Sequence, residues 1–166
     1  KIENYKKRRI ATLINFWGCG LYNLFGRFLD KKKSGNCFKK ILVLRLDHIG
    51  DVIMATSILP ALKEKYPKSY LSIMVGSWAK NILINNPFID EVIIHNCPWW
   101  QNIRKGEEKE SCLFYFFKKL IPIIKKIRKE KYDLGIDLRG DFRHIFFFLY
   151  LGKVKYRLSY DRSGGE

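Results

Sequence analysis

The sequence has few of the residues that mark disulfide-rich or zinc-binding domains. Its 166 residues include four cysteines and three histidines, and no two cysteines form a Cys-x-x-Cys pair. The histidines are scattered at His48, His95 and His144. We therefore predict neither a disulfide framework nor a metal site, and free thiols are typical of a reducing cytoplasm. The Gly-x-Gly-x-x-Gly fingerprint and the Walker A motif of nucleotide-binding loops are also absent.

Acidic residues are also scarce, since 16 Asp and Glu stand against 32 Lys and Arg, a net charge of +16. Residues 1–40 hold 11 basic and 2 acidic residues, whereas residues 41–166 hold 21 and 14. A hydrophobic content of 47% excludes a disordered polar tail, and the length suits one domain. The chain starts at Lys1 and stops after Ser-Gly-Gly-Glu without a closing element, so we expect a piece of a longer protein.

Residues 1–36 form a basic amphipathic extension. Apolar residues recur there at spacings of three and four, namely Ile10, Leu13, Ile14, Trp17, Leu21, Leu24, Phe25 and Phe28. Lysine and arginine clusters at 6–9 and 31–33 flank this stripe. The pattern favours a helix lying on an anionic membrane surface, while a helix docked on the rest of the protein remains an alternative. A spanning helix is disfavoured because Asn15, Asn23 and Arg27 interrupt the apolar stretch.

Residues 37–166 alternate between short apolar runs and amphipathic segments. The apolar runs predict strands over 41–44, 70–75, 91–94, 134–138 and 156–160. The segments between them predict helices over 51–66, 78–85, 113–131 and 143–151, with Pro122 kinking the third. We expect residues 52, 53, 58, 59 and 62 of the first helix to point inward. This alternation predicts an α/β fold with a doubly wound parallel sheet.

Ligands of such sheets bind beyond the carboxyl ends of the strands, where two loops of this sequence lie. In the first loop, Gly50 would allow a sharp turn or the close approach of a ligand. Asp51 is a candidate helix cap or a candidate general base, with Asp47 as the rival carboxylate. His48 is either a ligand contact or a solvated loop residue.

The second loop follows the fourth predicted strand. Asp137 lies inside an apolar run, and if buried it needs a partner such as Arg139 or a loop amide. Arg139 and Arg143 follow at the strand end, where forked donors suit phosphate or carboxylate groups. The alternative is that both are solvated surface arginines.

Three segments carry a resemblance to a known family. Residues 45–62 read RLDHIGDVIMATSILPAL and resemble the R-x-D-x-x-G-D opening motif and following helix of the heptosyltransferases of lipopolysaccharide core biosynthesis. Residues 132–140 resemble the Y-D-x-x-I-D-x-x-G strand of that family, and residues 156–162 resemble its R-I-G-Y-D segment, with Leu and Ser replacing Ile and Gly.

The resemblance implies a Rossmann-like domain, the amino-terminal, acceptor-binding half of a two-domain GT-B glycosyltransferase. It implies inverting, metal-independent transfer of heptose from a nucleotide-diphosphate sugar such as ADP-heptose to a lipid-anchored saccharide. Asp51 corresponds to the general base, and we expect Asp47, His48, Gly50, Arg139 and Arg143 to contact the acceptor. The resemblance places the donor-binding site mainly in a carboxyl-terminal domain outside these 166 residues, so this fragment alone is expected to be inactive.

The expected location is the cytoplasmic face of a bacterial inner membrane, as a peripheral protein that binds no nucleic acid. Two other functions remain open from the residues alone. One is a nonenzymatic module for anionic ligands or nucleic acid, indicated by the net charge, Trp99 and Trp100. The other is a different nucleotide-dependent α/β enzyme.

Overall fold

A computed structural model of the chain describes residues 37–97 and 115–159. The predicted amphipathic extension, the tryptophans at 99 and 100 and the segment from 160 onward lie outside these residues. The described part contains five strands, β1 (Lys40–Leu44), β2 (Tyr70–Val75), β3 (Glu91–Ile94), β4 (Leu134–Asp137) and β5 (Tyr156–Ser159). They form one sheet in the order β3-β2-β1-β4-β5, and every neighbouring pair is parallel. The predicted parallel α/β sheet is confirmed.

Helices connect the strands. They are α1 (Ile49–Ala55), α2 (Ile58–Lys65), α3 (Lys80–Leu83), α4 (Ile121–Glu130) and α5 (Phe142–His144). A 3-10 turn over Ser77–Ala79 precedes α3, and π-helical segments over Phe116–Leu120 and Ile145–Tyr150 adjoin α4 and α5. The winding changes to α-helical one residue before Pro122, close to the position where the sequence predicts a kink.

The single helix predicted over 51–66 is wrong, because the structure divides it into α1 and α2. The Thr56 hydroxyl donates to the Ile53 carbonyl at 2.6 Å, and the Ser57 hydroxyl donates to the Met54 carbonyl at 2.8 Å. Pro60 has no N–H with which to continue the helical ladder across this break. The inward orientation expected for Ile53 is also wrong, since its side chain is exposed whereas Val52 is buried.

The sheet is covered on both faces, which explains the uninterrupted apolar run of β1. Leu42 and Leu44 belong to the core beneath α4 and the segment after α5, which includes Ile127, Phe148 and Leu149. Ile41 and Val43 belong to the opposite core, which includes Val52 of α1 and Leu59 of α2. A strand buried on two sides needs apolar residues at successive positions rather than at alternate ones.

The strand order also fixes where a crevice opens. The chain leaves β1 toward β2 on one side, and β4 returns to pair with β1 on the other side. Because the connections diverge there, the carboxyl ends of β1 and β4 form the topological switch point of the sheet. The loops predicted to carry the site, 47–51 and 139–143, follow these two strands.

Candidate functional site

Arg45 is the residue that joins the two loops. It follows β1, and its Nε lies 3.0 Å from Asp47 Oδ2 while its Nη2 lies 3.2 Å from Asp51 Oδ1. Its Nη1 donates to the Leu138 carbonyl at the end of β4. The guanidinium therefore ties α1 and both loops together. Arg45 was not among the predicted site residues, although it is the first residue of the R-x-D-x-x-G-D motif.

Asp47 is almost fully buried. One carboxylate oxygen faces Arg45 and the other pairs with Arg139 Nη1, and the Trp78 indole N–H donates to the Asp47 carbonyl at 2.7 Å. The carboxylate thus orients two arginines, one in the loop after β1 and the other in the loop after β4. An acceptor contact by Asp47 itself stays a prediction.

Asp51 lies inside α1, so its predicted role as the helix cap is wrong. The N-cap residue is His48, whose backbone carbonyl accepts the first helical bond from Val52 N at 3.1 Å. Asp51 stands in the first turn, where the helix dipole favours an acidic residue, and its carboxylate turns toward Arg45. A third of its side chain is exposed, 34% against 2% for Asp47. Asp51 is therefore both oriented and accessible, which is the geometry a general base requires.

His48 and Gly50 are exposed at the crevice. The turn predicted at Gly50 is wrong, because Gly50 lies within α1 and the glycine with a positive φ among the described residues is Gly140. A methyl group added at Gly50 would meet no atom within 4 Å. This open space is compatible with the other alternative, close approach of a ligand, which stays a prediction.

Asp137 ends β4 and is buried, as its apolar context predicts. Its Oδ2 accepts hydrogen bonds from Gly140 N at 2.6 Å and from Asp141 N at 3.2 Å, which confirms the loop-amide alternative. Burial raises the pKa of Asp137 to about 6 despite these amide donors, and the nearby charge of Asp141 adds to the effect.

Asp141 is a residue of this site that was not predicted from the sequence. Its carboxylate caps α5 by accepting a hydrogen bond from Arg143 N at 3.0 Å. It also accepts two hydrogen bonds from the Arg143 guanidinium, from Nε at 3.0 Å and from Nη2 at 2.7 Å. Burial alone would raise the pKa of Asp141, but the Arg143 hydrogen bonds and nearby positive charge hold it below its usual value. An Asp two residues before an Arg at a helix start was the available signal.

The predicted arginines therefore meet carboxylates rather than solvent alone. Arg139 contacts Asp47 and lies 3.7 Å, measured from its Nε, from Asp141 Oδ2. Arg143 keeps 31% of its side chain exposed while it grips Asp141. Both guanidinium groups are held at the switch point, but their contact with an acceptor stays a prediction.

Two features are not found within 37–97 and 115–159. No group of three His, Cys, Asp or Glu side chains is arranged to hold a metal ion in this part of the chain. No helix among the same residues has the length and hydropathy needed to cross a bilayer.

Sequence comparison finds that the chain is similar to proteins named lipooligosaccharide or lipopolysaccharide heptosyltransferase 2. No family model matches the chain. Lipooligosaccharide heptosyltransferase 2 of Haemophilus ducreyi is 33% identical over 107 residues, which cover 64% of this chain and 27% of that protein. The chain thus spans about a quarter of the length of this relative.

Two solved structures share the fold. The E. coli ADP-heptose lipopolysaccharide heptosyltransferase II superposes with a TM-score of 0.55 at 19% identity, over 72% of this chain and 30% of that one. A glycosyl transferase family 9 protein from Veillonella parvula gives a TM-score of 0.56 at 23% identity, over 78% and 34% of the two chains. With the five-stranded parallel sheet, these two structures show that the chain has the Rossmann-like architecture of GT-B glycosyltransferases, and in sequence the chain is similar to a heptosyltransferase.

Proposed function

We propose that this chain is the acceptor-binding part of a bacterial glycosyltransferase that builds a lipopolysaccharide-type core. The enzyme transfers heptose from a nucleotide-diphosphate sugar such as ADP-heptose, with inversion and without a metal ion. Support comes from the heptosyltransferase relative and from the fold shared with an ADP-heptose enzyme. The observation that carries the proposal is Asp51, an accessible carboxylate held by Arg45 at the switch point of the sheet.

In the proposed reaction Asp51 is the general base. It takes the proton of the acceptor hydroxyl as that oxygen attacks the anomeric carbon, and the bond from this carbon to the diphosphate oxygen breaks. The bonding electron pair leaves with the nucleotide diphosphate. Arg45, which directly follows β1, holds the Asp51 carboxylate in place.

The acceptor would lie along the crevice between the two loops. Arg139 and Arg143 supply fixed positive charge for its phosphate or carboxylate groups, and Asp47 orients Arg139. Exposed His48 and the open space at Gly50 would allow the saccharide to approach α1. We expect the donor to be bound mainly outside these 166 residues, because the chain spans only 27% of the length of its relative.

A membrane location is part of the same proposal. A lipid-anchored acceptor requires the enzyme to work at a bilayer surface, and the sequence of residues 1–36 combines an apolar stripe with basic clusters. We place the protein as a peripheral protein on the cytoplasmic face of the inner membrane, with nucleotide sugar, lipid-linked saccharide and anionic lipid as partners. The proposal includes no nucleic acid.

The test is Asp51→Asn in the full-length protein, assayed with a panel of nucleotide sugars and a lipid-linked core acceptor. Asparagine keeps the shape and can still accept a hydrogen bond from Arg45, but it is too weak a base to take the proton. We expect kcat to fall by at least about 10²-fold with little change in thermal stability. Asp47→Asn is the matched control.

The pair of variants separates the possible outcomes. If Asp51→Asn stays nearly fully active while Asp47→Asn is folded but inactive, Asp47 is the base and our assignment is wrong. If both variants are active, this loop holds no catalytic carboxylate. A wild-type protein that transfers no sugar from any donor would exclude the proposed function as a whole.

A further inference from the structure

The turn after β4 is closed by one oxygen of one buried side chain. Asp137 Oδ2 accepts from Gly140 N at 2.6 Å, from Asp141 N at 3.2 Å and from the Ser159 hydroxyl at 3.3 Å. Ser159 stands opposite Asp137 in the register of β4 and β5. The carboxylate thus fastens the 137–141 turn to its own strand and to the neighbouring one.

This turn carries the groups that face the crevice. Arg139 lies within it and reaches Asp47 across the switch point. The Leu138 carbonyl receives Arg45 Nη1, and Gly140 takes a φ of 74°, in the left-handed region that favours glycine. Because these contacts depend on the shape of the turn, the group that closes the turn also sets the position of Arg139.

The second oxygen of Asp137 faces a histidine. Asp137 Oδ1 lies 3.8 Å from Nδ1 of His144, and both side chains are fully buried. Burial lowers the pKa of His144 to about 4, so its ring is neutral at neutral pH. Burial raises the pKa of Asp137 to about 6, which places the protonation of this carboxylate just below neutral pH.

The other charged groups around Asp137 come from three directions. Asp141 and Arg143 approach on the α5 side, Arg139 lies in the turn itself, and β5 contributes the uncharged hydroxyl of Ser159. Arg139 in turn touches Asp47 from the β1 side. The negative charge of Asp141 disfavours a second carboxylate nearby, which agrees with the raised pKa of Asp137.

We propose that Asp137 is a positioning residue whose buried carboxylate keeps the 137–141 turn closed and Arg139 directed at the crevice, and that protonation of this carboxylate loosens the turn. The inference rests on the proposed function, since it assumes that Arg139 contacts an anionic group of the acceptor. A protonated carboxyl is a weaker acceptor than a carboxylate, so the bonds to Gly140 N and Asp141 N weaken when the proton binds.

The experiment measures acceptor and donor KM and kcat of the full-length enzyme between pH 5 and 8. For the wild type we expect acceptor KM to rise as the pH falls through about 6, with donor KM unchanged. Asp137→Asn keeps an amide oxygen that can accept from Gly140 N, but its side chain does not titrate. Its acceptor KM should therefore stay low, without the rise near pH 6 that we expect for the wild type. We expect Asp137→Ala and Arg139→Ala each to raise acceptor KM about tenfold at pH 7.5, with kcat little changed.

Asp133→Ala is the matched control. Asp133 also accepts hydrogen bonds from two backbone amides, Lys39 N at 2.9 Å and Lys40 N at 3.2 Å. It lies just before β4, however, at the amino-terminal ends of the strands and away from the crevice. Its loss should lower thermal stability without raising acceptor KM. Amide hydrogen exchange at Gly140 provides a readout independent of transfer and should accelerate in Asp137→Ala only.

The outcomes keep this inference distinct from the proposed function. Absence of transfer by the wild type would reject the function, and exchange at Gly140 would still decide whether Asp137 closes the turn. An active enzyme in which Asp137→Ala and Asp133→Ala have the same acceptor KM would overturn the positioning role. If Asp137→Ala does not fold, an Asp137→Asn profile identical to that of the wild type near pH 6 would overturn it as well.

Discussion

Individual charges at the crevice are held in pairs that span elements distant in sequence. Asp47 is buried between Arg45 and Arg139, so removing its charge leaves two guanidinium groups without their partner. Breaking a buried pair in this way typically costs about 3–5 kcal/mol. Asn also removes this charge, although it keeps the side-chain volume and a hydrogen-bond acceptor, so the activity of Asp47→Asn must be compared with its free energy of unfolding.

Buried His95 allows a residue-scale prediction about acid stability. Its Nε2 lies 2.6 Å from the Tyr115 hydroxyl, and its ring packs 5.3 Å from that of Phe148. Burial lowers the pKa of His95 from 6.5 to about 4. Between these values the unfolded chain binds a proton that the folded chain does not, so stability falls as the pH drops through this window.

The variant His95→Gln keeps a hydrogen-bonding partner for Tyr115 but does not titrate. We measure the free energy of unfolding of both full-length proteins by urea denaturation between pH 6.5 and 4. As the pH falls, the wild type should lose more stability than His95→Gln, by up to about 1.4 kcal/mol for each pH unit. Asp137 acts in the opposite sense, because its raised pKa favours the folded state at lower pH. The comparison between variants cancels that contribution. Parallel curves for the two proteins would show that His95 is not held neutral by burial.

At the scale of elements, the sequence predicts strands better than helix ends. The runs at 41–44 in β1 and 73–75 in β2 are apolar at successive positions because both faces of the sheet are covered there. The break at Thr56 and Ser57 escaped prediction, because the apolar spacing continues through it and only the hydroxyl-to-carbonyl bonds reveal it. The π-helical segments were not predicted for a related reason, because their wider turns do not visibly change the spacing of apolar residues along the sequence.

The candidate site was predictable to a similar extent. A parallel sheet places the loops after β1 and β4 at one edge, so Asp47, Asp51, Arg139 and Arg143 could be selected from order alone. Arg45 could not, because its role depends on a carbonyl of a loop 93 residues away. Tyr132 and Asp133 resembled family residues in the same motif as Asp137, but they bind Ser72 and the start of β1 at the far end of the strand.

Packing between α4 and the segment after α5 supports an element-scale prediction at Gly152. A methyl group added there would overlap the Phe148 carbonyl oxygen and would lie 2.7 Å from Ile127 Cγ2. Because backbone atoms cannot move aside as a side chain can, we expect Gly152→Ala to destabilise the protein by about 1–3 kcal/mol in urea denaturation.

Gly50→Ala is the control for this substitution. It lies in α1 and its methyl would meet nothing within 4 Å, so we expect unchanged or slightly higher stability, since Ala favours a helix by about 0.5–1 kcal/mol. Equal losses in the two variants would show that the cost at Gly152 is not a matter of close packing.

At the scale of the whole molecule, the positive charge is divided between two settings. Residues 1–40 carry a net +9 and residues 41–166 a net +7. In the described domain some lysines pair with specific carboxylates, as Lys63 does with Asp90 and Lys126 with Glu91. The basic clusters at 6–9 and 31–33 flank an apolar stripe instead, which is the pattern that lipid surfaces attract.

We therefore expect the first forty residues, rather than the total charge, to bring the protein to anionic membranes. The full-length protein should sediment with vesicles of phosphatidylcholine and phosphatidylglycerol but much less with phosphatidylcholine alone, and salt should weaken the binding. Each Lys or Arg near such a surface contributes about 1 kcal/mol, so replacing Lys6, Lys7, Arg8 and Arg9 with Gln should reduce the affinity at least about tenfold. The matched control replaces four exposed lysines of the α/β domain, Lys68, Lys80, Lys125 and Lys129, and removes the same charge. If the control loses as much affinity, net charge alone drives the binding, and if neither vesicle binds the protein at low salt, the extension has another role.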